Sequence, residues 1–91
     1  MEEVLLNGRE FQRIRMECGF TRPDFVKYLA TKPPWLRGRI TKPDSLEDLE
    51  ANRGARAVPY RYINILRELV GSAAFDFHYK RIVEMRERRK Q

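Results

Sequence analysis

Asp44, Ser45, Asp48 and Asn52 recur at helical spacing, so a helix through them sets four hydrogen-bonding side chains on one outward face. Their chemistry matches base edges. An Asp carboxylate accepts from cytosine N4, an Asn amide grips adenine, and a Ser hydroxyl bonds to either kind of base. The same residues also make an ordinary solvated, acidic helix face, and the sequence leaves both readings open for the two aspartates. Around this face stand groups suited to phosphate. Thr21 and Arg22 open a helix whose backbone N–H groups and cation can meet one strand. Lys42, Arg53 and Arg56 flank the central face, and Arg61 opens a later helix. Arg37 and Arg39 form a basic finger able to track a backbone or enter a minor groove.

Catalysis finds no comparable constellation. The single histidine, His78, lies in the aromatic stretch Phe75–Tyr79 and suits a packed or interfacial role better than that of a base. Cys18, the one cysteine, falls on the buried stripe of the first helix. There is no Cys/His cluster with metal-ligand spacing, no Gly-rich phosphate loop and no readable nucleophile–base arrangement. The chain reads as neither an enzyme nor a holder of a metal or cofactor.

Five helices must position these groups. A capping box of Asn7 with Glu10 starts the first near Gly8, after Val4-Leu5-Leu6, which suit an extended arm or an earlier helix start. Phe11, Ile14 and Cys18 share its inner stripe, Gly19 closes it and Phe20 packs after the stop. The second and third helices open alike, as Thr21-Arg22-Pro23-Asp24 and Thr41-Lys42-Pro43-Asp44. In each, Thr can cap, Pro sits where its missing N–H costs nothing, and Asp suits the positive helix end. The second runs from about Arg22 to Leu29 and buries Phe25, Val26 and Leu29. The third turns Leu46, Leu49 and Glu50 to one side and stops at Arg53-Gly54. Pro59 begins a fourth, with Tyr62, Ile63, Leu66, Leu69 and Val70 inward and Gly71 at its end.

Ser72 caps a fifth helix reaching about Arg88, and its apolar residues cover more than one stripe. Phe75, Tyr79, Ile82 and Met85 or Arg86 can close the core. The surplus, centred on Phe77 with Val83 and flanked by Phe75 and His78, is left for a second copy of the chain. The loop Ala30–Ile40 is roughly nine residues longer than a tight helix-turn-helix needs. Its adjacent Pro33 and Pro34 break the helix and favour extended backbone. Trp35 reads as a lid over the core, with Leu36 beneath it.

Ninety-one residues, 42% of them hydrophobic, make one small domain over 1–91, with a core at about 8–84 and a basic, mobile tail at 85–91. The net charge of +6 favours a polyanionic partner, nucleic acid being the usual one. One cysteine excludes an internal disulfide framework and fits a reducing compartment. No apolar run reaches membrane-spanning length, and the acidic opening Met1–Leu6 is too short for a signal peptide. The expected location is cytoplasmic.

The pattern Phe11-x-x-Ile14-Arg15-x-x-x-Gly19-Phe20-Thr21, then Ile40-Thr41, Leu46-x-x-Leu49-Glu50, and Pro59 before a Leu66-containing helix resembles the Cro/lambda-repressor-like (XRE) helix-turn-helix family. The resemblance covers about residues 8–70. It implies an all-α, five-helix lambda-repressor-like domain whose third helix reads DNA, with Arg15 and Glu50 paired beneath the DNA-facing surface. Residues 44–50 nonetheless hold four acids and no base, so phosphates must be met by the flanking bases.

Sequence-specific binding of double-stranded DNA by a homodimeric bacterial or phage regulator of repressor type is the function these features lead us to expect. A fifth-helix dimer sets two recognition helices about one turn of DNA apart, roughly 34 Å. Two other readings fit the same residues. One is an antitoxin or adaptor that docks a toxin-like protein partner through the acidic third and aromatic fifth helices. The other is a nonspecific nucleic-acid binder that uses only its basic rim.

Overall fold

Asn7 starts the first helix. In a computed structural model, which describes residues 5–51 and 57–89, its side chain accepts from the Glu10 N–H while the Glu10 carboxylate accepts from the Asn7 N–H, each at 2.9 Å. This reciprocal box satisfies two donors that a helix start leaves orphaned. α1 (Gly8–Glu17) then runs to a glycine-terminated turn. Gly19 takes φ 84°, its N–H reaches the Met16 carbonyl, and the Phe20 N–H reaches that of Arg15. A second box, Thr21 with Asp24, opens α2 (Arg22–Leu29). The Thr21 N–H and hydroxyl hold the Asp24 carboxyl below its ordinary range.

The loop after α2 is more ordered than its two prolines suggest. Only Pro33 is extended, at ψ 157°, and Pro34 begins a four-residue helix, α3 (Pro34–Arg37). A proline's preset φ and missing N–H suit the first helical position, so the pair starts a helix as readily as it breaks one. The described residues therefore hold six helices where the sequence predicts five. On this single turn only one of two adjacent apolar side chains can face inward. Leu36 takes that place and Ile40 is buried beyond it, which leaves Trp35 75% exposed. Trp35 is not a lid.

α4 (Pro43–Glu50) has Lys42, not Thr41, as its cap residue, because the Ser45 and Leu46 N–H groups reach the Lys42 carbonyl. Thr41 stands one residue too early to cap, and Lys42 has no acceptor to offer in its place. The helix ends at Glu50 with Ala51 as C-cap, and the expected stop at Arg53-Gly54 lies outside the described residues. α5 (Tyr60–Val70) takes Pro59 as its cap residue and adds Ile65 to the expected inner face. α6 (Ser72–Arg89) follows after Gly71 at φ 95°, with Ser72 already helical.

Leu6, Phe11, Ile14, Phe25, Leu29, Leu46 and Leu66 are wholly buried. Phe11 meets Phe25 edge to face, their centroids 5.4 Å apart. Leu6 belongs to an extended arm, as its carbonyl accepts from the Val58 N–H at 2.7 Å beside an antiparallel bridge between Asn7 and Ala57. Among the described residues no helix is long and apolar enough to cross a membrane.

α1 meets α4 backbone to backbone. A Cβ on Gly8 would stand 2.7 Å from the Leu49 carbonyl oxygen and closer still to that of Glu50. Neither oxygen can rotate away, so Gly8→Ala must part the two helices. The expected cost is about 1–3 kcal/mol, a melting point lower by ~4–8 °C per kcal/mol in a chain of this size. An unshifted thermal melt would overturn the close approach.

Candidate nucleic-acid interface

Glu50 sits at the end of α4 with 2% of its surface exposed, and two arginines close on it. Arg15 donates from Nε to Oε2 at 2.9 Å and from Nη2 to Oε1 at 3.1 Å, a bidentate pair that is itself 3% exposed. Its remaining Nη1 donates to the Phe20 carbonyl at 2.7 Å, tying the turn after α1 to the same cluster. Arg22 donates from Nε to Oε1 at 2.9 Å from the α2 side. One carboxylate thus joins α1, α2 and α4. The Arg15–Glu50 contact is present as expected, and Arg22, expected at a phosphate, joins the same carboxylate. Its Nε is committed inward and 31% of its side chain remains exposed.

Above this clamp α4 turns Asp44 and Asp48 to solvent, with Ser45 half-buried beside them. Glu47 is also exposed, so the open face of the helix is strongly acidic. Asn52, Arg53 and Arg56 lie outside the described residues. Thr21 is exposed, its hydroxyl accepting from the Asp24 N–H at 3.2 Å. Lys42 is exposed at the start of α4.

The remaining basic candidates converge more than their spacing suggests. The Tyr62 hydroxyl on α5 donates to the Arg37 carbonyl at 3.0 Å, fixing the end of α3. Arg61 lays its guanidinium 4.8 Å from the Tyr62 ring centroid. Gly38, at φ 60°, passes so close that a Cβ there would collide with the Tyr62 hydroxyl and stand 3.2 Å from Arg61 Nη2. Arg37 and exposed Arg39 therefore share a ledge with Arg61, which the sequence places on a different element. Residues 31–43 contain four bases and no acid, against four acids and no base in 44–50. Of those four bases, Lys32 is drawn aside to Glu68 at 2.8 Å.

The proposed dimer residues separate. Phe75 is 4% exposed and belongs to the core, stacked on Tyr79 at 5.9 Å, so it is not available to a second chain. The helical period that carries Phe75 and Ile82 inward carries Phe77 outward. Phe77 is 60% exposed, with the Arg81 guanidinium 5.8 Å from its ring. Val83 is half-buried. His78 is half-buried too, its Nδ1 2.9 Å from Glu17 Oε2 without completing a hydrogen bond. A hydrogen bond from Arg13 holds the Glu17 carboxyl below its ordinary range. Burial raises the Cys18 thiol, which disfavours its nucleophilic form. Among the described residues no group of three His, Cys, Asp or Glu is placed to hold a metal ion.

Comparison with protein-family models, with curated proteins and with solved structures finds no match to this chain.

Removing the carboxylate from the clamp leaves the Arg15 cation buried without its counter-charge. Glu50→Ala is expected to cost about 3–5 kcal/mol, a melting point lower by well over ~10 °C. Arg22→Ala should cost clearly less, since its side chain reaches water. Equal melting of Glu50→Ala and wild type would show that the cluster is not a structural clamp.

Proposed function

We propose that this chain binds double-stranded DNA in the helix-turn-helix manner, with α2 and α4 as the pair and α4 presented to the major groove. The supporting observation is the Arg15–Glu50–Arg22 cluster. It fixes α4 on α1 and α2 from beneath and leaves Asp44, Ser45 and Asp48 on the other side. In this reading affinity and specificity have different sources. Phosphates are met by Lys42 at the start of α4 and by Arg39 and Arg61 of the ledge, and base edges by Ser45 and the aspartates. Segregating the bases from the acids lets the backbone be neutralised at the rim while carboxylates approach only cytosine amino groups. Phe77, exposed on α6, is the apolar group around which a second copy would pack, giving a homodimeric regulator of repressor type.

Selection from a random duplex pool tests this directly. An inverted repeat should be recovered, with a binding constant that falls steeply with salt, by close to one order per order of salt for each phosphate met. Lys42→Ala should weaken binding to all sequences alike and lower that slope by about one. Asp48→Asn should leave the melting point unchanged and alter the recovered sequence. An unenriched pool would sink the proposal. For the dimer, sedimentation of Phe77→Asp should give a monomer where wild type associates; monomeric wild type at high micromolar concentration would remove that part.

A second reading has its own observation. Asp44, Glu47 and Asp48 are exposed on α4, and among the described residues none of them is held in an ion pair. Such a face also fits a basic protein surface, as in an antitoxin or adaptor. That role predicts no enrichment from the duplex pool and little salt slope with any nucleic acid.

A further inference from the structure

Among the described residues the most exposed large hydrophobic side chain is Trp35, at 75%, ahead of Met16 and Phe77 at 60%. It is also the only tryptophan. Its platform is held from several sides. Pro33 and Pro34 set the entry to α3, Leu36 packs on the core, Ile40 is buried, and the Tyr62 hydroxyl holds the Arg37 carbonyl at 3.0 Å. A Trp in this setting needs little further ordering to bind a flat partner.

We propose that Trp35, with Arg39 and Arg61 of the same ledge, is a stacking site for an unpaired nucleotide of a single-stranded nucleic acid. Three features choose this occupant. The indole offers a flat apolar face, which any base can cover. The ledge beside it, residues 33–39 and 59–62, carries three arginines and no acid, so it complements a phosphodiester chain. A base inside a duplex is already stacked on both faces, so a Trp outside the helix meets only edges and sugars, whereas an unpaired base presents a free face. A membrane surface is a poorer occupant, because it rewards a broad apolar face and Trp35 is the one large exposed hydrophobic side chain on α3.

Trp35 belongs to this site alone, whereas Arg39 and Arg61 also serve the duplex reading, so the tryptophan separates the two. A single tryptophan makes intrinsic fluorescence a report on this one position. Titrating the full chain with an oligothymidylate of about a dozen nucleotides, a length in the range of single-strand binding sites, should quench that emission to saturation. Quenching should weaken steeply with added salt. Arg39→Ala and Arg61→Ala should each weaken it severalfold. Trp35→Phe should retain part of the binding, measured by anisotropy of a labelled strand, and Trp35→Ala should be at least about fivefold weaker than wild type. Because the side chain is exposed, both Trp35 variants should melt as wild type does, so a loss cannot be assigned to unfolding. Absent quenching by the single strand would overturn the proposal. So would quenching that the arginine variants leave unchanged, or that only a blunt duplex or phosphatidylserine vesicles produce. Selection of a duplex site together with failure here would remove the Trp35 site alone. The reverse pair of results would remove the α4 proposal alone.

Discussion

Glu50 is a carboxylate cut off from water, and three helices are placed by the need to neutralise it. Moving one ionised carboxyl into a protein interior is costly, and a well-formed bidentate guanidinium with further hydrogen bonds is what offsets the cost. Arg15 supplies the fork, Arg22 a third bond, and the Phe20 carbonyl takes the Arg15 donor left over. Each partner comes from a different piece of chain. Sliding α4 along α1 would break the fork, and turning α2 would withdraw Arg22. Such a cluster adds little net stability over a well-packed apolar one, but it is intolerant of misplacement. Gly8 serves the same end from the other side, bringing the start of α1 against the last carbonyls of α4.

Local features were the legible part of the fold. Asn7 with Glu10 and Thr21 with Asp24 are pairs three residues apart, so their hydrogen bonds depend on nothing distant. Gly19 likewise carries its own conformation. The bounds of α2 follow from such signals, as does the start of α1. Thr41 misled because its copy of the Thr21 opening is shifted by one residue against the helix, a difference only the backbone bonds to Lys42 reveal. The α3 turn was hidden because Pro34 is as compatible with a first helical position as with a break.

Tertiary arrangements were legible only where the resemblance supplied them. The Arg15–Glu50 pair came by that route, and spacing alone does not indicate it. In the sequence Arg22 looks like a surface cation, because a helix start looks exposed until a buried acid is known to lie beneath it. Phe75 and Phe77 are two residues apart, hence on different faces, yet both belong to an aromatic run whose inward phase the packing of α6 decides. The ledge escaped for a similar reason. Arg37 and Arg61 are brought together by the Tyr62 hydroxyl and by the room that Gly38 leaves for it, and neither effect shows in a pattern of charges.

The abrupt change of sign at Lys42-Pro43-Asp44 has a consequence for encounter as well as for contact. A surface with cations gathered on one side of a boundary and carboxylates on the other has a lateral electric dipole. Near a polyanion that dipole experiences a torque, which turns the ledge and the start of α4 toward the charge and the acidic end away from it. At physiological salt the effect reaches only about 8 Å, so it acts in the last moments of approach. Within that distance the cations of the ledge lead and the carboxylates of α4 trail, so the bases are engaged before the acidic face can approach.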